Sequence, residues 1–477
     1  VYTSKLGQLL LTFNTSDWKR FLTFVESPYF NTNTDVIRLG QSVYQLRGSE
    51  SITKAEVYRH CFPGQPFDTQ RMGTLMNYLL KLAEHFLSVE KFLKDDFESV
   101  KDQLWELSDR KLSKHYDFLL RKLEKQLGKD DNKISAVHLS RQFRLAEVKM
   151  FHFSNQKVRR GDPIMQEVYQ KLNLYYYTRV LQYSCALISW QLVVNGKFEL
   201  SKVTTNLIED LYKDPPKYPL ILIYLSIYKA IVTGEEENGL HFQNLLAYLE
   251  KYEQRIEHDE IKEIYLYAIN FCARKIRKGE NSYSTIVLNL YDEGIRHKYL
   301  HTNGYLSHWT YTNVVKMGLL QHRYDWVEEF INRYKEELQP EFYEDAFHFN
   351  LAELYFTKGL YNEVLDHIQH LSFSDPYYNL GTRMIMIKTF YELNEEESLL
   401  ARLASFTIYL KRDTNLSSTY QQTCLNFCKL LHQILKVNSD QKKEKLIREI
   451  EETKPLAERN WLLTTLKAQK ISPVSRY

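Results

Sequence analysis

Apolar residues recur along this chain at intervals of three and four, the period of an α-helix with one face against a core. Trp18, Phe21, Leu22, Phe24 and Val25 form the first such stripe, and Asn14 stands where an N-cap is needed. Ser27-Pro28 stops it, because the residue before proline avoids helical backbone angles. A second stripe (Val36, Ile37, Leu39, Val43, Tyr44) follows the polar run Asn31–Thr34. Thr53 and Glu56 have the spacing of a capping box for a short third helix. Pro63–Pro66 breaks it, and Asp68 opens a long helix through Met72, Leu75, Leu79, Ala83 and Phe86. Residues 1–95 are therefore expected to form an N-terminal helical domain. Residues 96–212 read as long helices with few breaks. Tyr169 to Val194 is one very apolar helix, which Asn195-Gly196 is expected to end.

From about residue 213 the pattern repeats. Helix pairs are predicted to begin near Pro219, Glu260, Asn303, Asp345, Asn379 and Thr419, about forty residues apart, a period typical of helical-hairpin arrays. The clearest unit runs from Asn350 to Pro376. Small Ala352 permits close helix approach, Gly359 a tight turn, and Tyr361, Val364 and Ile368 dock the second helix. Tyr324, Val327 and Ile331 repeat that register upstream, and Gly279–Leu290 is a weaker third copy. A hairpin of helices leaves an apolar face that only a neighbour covers, so residues 213–477 are expected to stack into a superhelix with C-terminal capping helices.

Composition sharpens this reading. With 16 Gly and 11 Pro in 477 residues, the chain is poor in the residues that turns and sheets need, so the expected fold class is all-α. Thirty-five tyrosines suit bulky packing between helices. Five cysteines without a Cys-x-x-Cys pair read as free thiols in a reducing, cytoplasmic setting. The close pair Cys424 and Cys428 is expected to be buried, with a thiol sensor as the alternative. The start of the chain is not expected to be a secretory signal. The most apolar stretch, Tyr218–Val232, contains Ser226 and Lys229 and is too short to cross a bilayer.

Residues 303–400 resemble the tetratricopeptide family: the small residue, the turn glycine, the tyrosine three before an aliphatic residue and the closing proline all match. The resemblance implies an α-α superhelix whose groove takes a peptide or helix. The usual repeat is about 34 residues, and these units are longer and irregular. Ser27-Pro-Tyr-Phe-Asn31, with Glu458-Arg-Asn-Trp461 near the other end, resembles a family of large uncharacterised helical proteins from Bacteroidota bacteria, which implies a bacterial cytoplasmic protein and points to no known activity.

No phosphate-binding glycine loop, nucleophile elbow or His-Glu-x-x-His motif occurs, so no enzyme and no cofactor is expected. Glu363, His367 and His370 share one helix face and could ligate zinc if a fourth ligand existed; a solvated polar face is the plainer reading. His297 and His301 suit a helix C-terminus. Residues 111–160 hold thirteen Lys/Arg, among them Arg121, Lys122, Arg141, Arg144, Arg159 and Arg160, against five acids. With His138, Phe143, Phe151 and Phe153 they form an alternative, nucleic-acid-contacting reading; a solvated face, paired with the acidic segment 323–370, is the other. Thr53–Leu87 has two helices, but its connector Phe62–Phe67 is too long for a helix-turn-helix. Tyr29 and Phe30 are expected to plug the domain core, or else to anchor a partner. The leading expectation is a non-enzymatic scaffold that binds a protein or peptide along first helices, with Asn313, Lys316, Asn350, Glu353, Tyr355 and Arg383 lining the groove.

Overall fold

The computed structural model describes residues 3–48, 52–129, 132–156, 161–191, 198–368, 376–412 and 418–469. Arg159, Arg160, Asn195-Gly196, His370 and Asp375, and the side chains of Pro376 and Thr419, lie outside them. The described residues form 23 α-helices and one two-residue-strand hairpin, so the chain is an all-α helical-repeat protein. It divides into two compact units, Val1–Leu225 and Ser226–Tyr477.

In the first unit, α1 (Lys5–Leu11), α2 (Thr15–Glu26), α3 (Thr34–Leu46), α4 (Lys54–Cys61) and α5 (Thr69–Lys94) enclose Phe21, Val25, Leu39, Val57 and Leu79. Local chemistry sets their ends. Asn14 and Asp17 form a reciprocal capping box, as do Thr53 and Glu56, and Asp68 accepts from the Arg71 amide. The Ser27–Asn31 turn does stop α2, and the Asn31 amide donates to Val25 O at 2.9 Å. The expected plug is not formed, however. Tyr29 is 88% exposed, and Phe30, 40% exposed, stacks on Phe24 from outside at 4.1 Å. The core beneath is already filled by Phe21, Phe24 and Phe86, so the turn leaves its aromatics at the rim.

A second cluster, around Leu104, Tyr116, Leu123 and Val148, joins α6 (Asp96–Asp109), α7 (Ser113–Lys129) and α8 (Ala136–Asn155). Next, α9 (Ile164–Gln191) packs along α8, followed by α10 (Lys202–Lys213) and α11 (Pro219–Val232), which crosses the division between the units. Among the described residues no helix is long and apolar enough to cross a membrane.

The second unit contains α12 (Glu235–Tyr252), α13 (His258–Arg277), α14 (Tyr283–Arg296), β1 (His301–Thr302), β2 (Tyr305–Leu306), α15 (His308–Leu320) and α16 (Tyr324–Tyr334). Then come α17 (Tyr343–Lys358), α18 (Tyr361–Ile368), α19 (Pro376–Glu392), α20 (Glu396–Arg412), α21 (Ser418–Ile434), α22 (Asp440–Glu452) and α23 (Arg459–Ala468). Helices pair as α13/α14, α15/α16, α17/α18 and α19/α20, and the first helices of successive hairpins also touch, α15 on α17 and α17 on α19. That double contact is how a helical array stacks. Gly359 ends α17 in the left-handed region at φ 76, which lets the chain reverse at once into α18. Val327 and Val364 are fully buried at matching places in α16 and α18, as are Ile331 and Ile368. Before α15, Asn303 and Gly304 both have positive φ and close the β1–β2 turn. Buried tyrosines keep their hydroxyls paired: Tyr311 donates to Ile331 O at 2.7 Å and Tyr265 to Glu253 at 2.7 Å.

Candidate interaction face

The first helices α15, α17 and α19 carry the candidate site, and the six residues expected to line it part company there. Asn350 is fully buried. Its amide donates to Thr312 Oγ1 at 3.0 Å and to Ala346 O at 2.7 Å, so it belongs to a polar layer inside the stack. Thr312 in turn bonds the Tyr378 hydroxyl at 2.9 Å. A partner cannot reach Asn350. Asn313 is exposed and bonds the Tyr291 hydroxyl of α14. Tyr355 stacks on His367 of α18 at 5.3 Å, and the Arg383 guanidinium lies 4.3 Å over the Tyr409 ring of α20. Both thus serve contacts with second helices.

Lys316 and Glu353 do come together. Glu353 of α17 has Lys388 of α19, Glu458 at the start of α23 and Lys316 of α15 as its charged neighbours. Burial pushes its carboxyl up from the ordinary range; Lys388 and Lys316 oppose that shift, and Glu458 adds to it. Lys388 is buried, with Nζ 2.7 Å from Glu458 Oε2 and 4.6 Å from the Phe356 ring centre. Burial alone would lower its pKa, but Glu458 and Glu353 together outweigh that and raise it. Helix geometry explains the division. Residues two apart, such as Glu353 and Tyr355, point about 200° apart; Arg383 and Lys388, five apart, differ by about 140°.

The pairing of Lys388 with Glu458 is not visible in the sequence, where Glu458 stands out only as part of the end motif. A signal for Lys388 existed: a lysine set in Met384-Ile-Met-Ile-Lys388-Thr-Phe390 sits where a buried charge demands a partner. Glu458 had none, since it reaches Lys388 only through the fold of the C-terminal helices. Trp461, three residues on, donates to Glu392 at 2.8 Å and fixes α23 beside the end of α19.

The other candidate chemistry resolves into packing. His367 Nδ1 lies 3.1 Å from His348 Nδ1, a pairing on the α17/α18 seam that leaves Glu363 aside; His370 is outside the described residues. Among the described residues, Glu253, Glu293 and His297 bring three ligand atoms within 4.8 Å of one another. Tyr265 donates to Glu253, and His297 stacks on Tyr299 at 5.5 Å. All five cysteines are buried and none is in a disulfide. Burial pushes the Cys424 thiol to about 11 and that of Cys428 to about 12, the values of packed rather than reactive thiols.

In the basic segment, Arg141, Arg144 and Lys149 are paired with acids. Arg141 pairs with Asp95 at 3.3 Å, Arg144 with Glu98, and Lys149 with Glu124 at 3.3 Å and Glu167 at 3.2 Å. Three of the four rings offered for base stacking pack within the protein: Phe151 lies 4.0 Å from Trp105, Phe143 stacks on Tyr175, and His138 is buried.

No protein-family model and no curated protein matches this chain. A solved structure described as the crystal structure of the APC/C hetero-tetramer Cut9-Hcn1 is similar over 97% of this chain and 89% of that one, at 12% identity and a TM-score of 0.30. A superposition that loose carries no argument. The helical-repeat class rests on the hairpin pairing itself.

Proposed function

We propose that this chain is a non-enzymatic protein-interaction scaffold whose second unit holds a peptide or helix of a partner along α15, α17 and α19. One observation carries this reading: the first helices of three consecutive hairpins lie side by side, and Lys316 stands exposed on the first of them, beside the half-buried Glu353 and the buried Lys388. Such a face offers a polypeptide an exposed cation on an open row of helices rather than an enclosed pocket. Lys316 is the accessible member, and Asn313 extends the exposed part of the same helix. We retain the three-part division 1–95, 96–212 and 213–477 as a functional proposal, with the third part as the binding portion. A cytoplasmic, bacterial setting is part of it: five thiols outside any disulfide suit a reducing compartment, and the end motifs resemble those of bacterial proteins.

The test is quantitative affinity capture with the full chain beside Lys316→Glu and Asn313→Arg variants. Partners that the wild type retains and both variants lose support the face. If the wild type retains none at near-native abundance while staying monodisperse, or if both variants retain the same partners undiminished, the proposal fails.

A further inference from the structure

Helix α9 is apolar on two sides, and only one of them is covered. Its inner side buries Ile164, Thr178, Leu181, Ser184 and Cys185. On the outer side Met165, Tyr169, Leu172, Tyr176, Tyr183 and Trp190 are 41–65% exposed. A helix apolar all round is normally buried all round, so the outer stripe is unusual for a protein surface. Its spacing is also specific. Tyr169, Tyr176, Tyr183 and Trp190 are seven apart, and Met165, Leu172, Arg179 and Ala186 form a second series of seven, offset by three or four. These are the a and d positions of a heptad seam, the pattern by which one helix receives another.

Three observations select the occupant. The first is area: a side chain of this size covers about 150–250 Å2, so six at roughly half exposure leave about 600–700 Å2 in water, close to the ~800 Å2 per partner of a stable protein pair. The second is the flanks. Positions beside the seam are Gln166, Asn173, Val180 and Leu187 on one side and Val168, Tyr175, Gln182 and Ser189 on the other. They hold no charge with which to select a different partner helix. The third is self-complementarity. Run antiparallel in full overlap, each a residue meets a d residue of the same stripe: Tyr169 meets Ala186, Leu172 meets Tyr183, Tyr176 meets Arg179, and Met165 meets Trp190. Large faces small, sulfur faces an aromatic ring, and the guanidinium faces a tyrosine. Arg179 already lies near two rings, 5.8 Å from Tyr175 and 6.0 Å from Tyr183.

We infer that the outer stripe of α9 is a homodimerisation seam, which takes α9 of a second copy of this chain in antiparallel register. The inference is independent of the face on α15, α17 and α19. The two-fold symmetry of such a pair makes each contact occur twice.

The experiment is sedimentation velocity of the full chain from 1 to 100 µM, concentrations chosen to bracket about the micromolar affinities of modest interfaces. Wild type is expected to show a concentration-dependent dimer. Tyr176→Glu/Tyr183→Glu, which alters only exposed side chains, is expected to weaken it at least about tenfold, since central aromatics dominate interfaces, with an unchanged circular dichroism spectrum. Lys316→Glu is expected to leave the dimer intact, which separates this seam from the proposed partner face. Register is read by mixing Leu172→Cys with Tyr183→Cys chains: an interchain disulfide is expected in the mixture and not in either chain alone. A wild type that remains monomeric at 100 µM overturns the inference. So does a dimer indifferent to the double substitution, or one that cross-links through Tyr183→Cys alone.

Discussion

Lys388 and Glu458 give the sharpest test of how the second unit is held together. The lysine is buried and its partner is about one-third exposed at the side chain, 2.7 Å away. Removing one member of a buried pair costs about 3–5 kcal/mol when the other is left wholly without solvent. Here Glu458 regains water when Lys388 is lost, so Lys388→Met is expected to cost about 2–3 kcal/mol, including about 1 kcal/mol for the cation over Phe356. Glu458→Gln leaves an amide oxygen that still accepts from Nζ, and its cost is expected at about 1–2 kcal/mol. Because both substitutions act on one contact, Lys388→Met removing it and Glu458→Gln stripping its charge, the double variant should fall short of their sum by about 1 kcal/mol or more.

Glu353 moves in the opposite direction. Its folded pKa is raised above the unfolded value, so its contribution to stability is complete below 4.5 and is lost as pH climbs through the raised folded value. At pH 7 Glu353→Gln should therefore cost little or stabilise, and should flatten the pH dependence above 4.5. Hydrogen–deuterium exchange on peptides covering α19 and α23 reads local opening free energies without assuming that both units unfold together. A coupling below about 0.5 kcal/mol, or a Glu353→Gln variant as damaged as Glu458→Gln, would refute the reasoning.

Three further outcomes are expected. His301 is buried with Nε2 2.6 Å from Glu337 Oε2; burial, aided by Lys298 and His258 and opposed by Glu337, lowers its pKa. Its contribution is thus complete above 6.5 and falls as pH drops through the lowered folded value, so the opening free energy at residues 299–308, read from exchange corrected for the intrinsic rate at each pH, should fall on acidification from pH 7.5 to 5.5 and His301→Gln should flatten that trend; an opening free energy that rises in acid would contradict the assignment. At Gly318 a Cβ would run into Val327 Cγ2 and touch Trp326 at 3.3 Å, and at Gly381 it would lie 2.6 Å from Phe349 Cε2, so each Gly→Ala change should lower stability by about 1–2 kcal/mol despite better helix propensity, as thermal melts would show. Phe30→Ala should cost about 1 kcal/mol through lost stacking on Phe24, whereas Tyr29→Ala should stay within about 0.5 kcal/mol; equal losses in a urea titration would put Tyr29 back in the core.

What could be read in the sequence was what is decided within a few residues. The caps at Asn14, Thr53 and Asp68, the stop at Ser27-Pro28 and the left-handed Gly359 all depend on adjacent side chains and backbone, and they appear where expected; helices begin near the predicted hairpin starts except at Asn303, where the chain makes the β1–β2 turn and α15 begins at His308. The Asn303-Gly304 turn was equally local and was passed over: Asn-Gly is a strong hairpin signal, but its strands are two residues long and leave no alternating pattern. Which side of a helix faces which neighbour is a different matter. Asn313, Asn350, Glu353, Tyr355 and Arg383 all sit on first helices, yet they face different neighbours, because rotation about each axis is set by packing across hairpins.

Helix α9 shows why apolarity by itself is an ambiguous message. Read along the chain, Tyr169 to Val194 is apolar enough to belong in an interior, and periodicity cannot say how many sides of that interior the same chain supplies. The structure covers the side with Leu181 and Cys185 and leaves Tyr169, Tyr176, Tyr183 and Trp190 in water. A core obeys 3.6 residues per turn and tolerates drift; a seam for a second helix keeps to seven. The outer residues of α9 keep one large aromatic every seven residues for three successive intervals, whereas the inner series 164, 171, 178 and 185 mixes Ile164, Lys171, Thr178 and Cys185, so the two sides of this helix answer to two different packing partners.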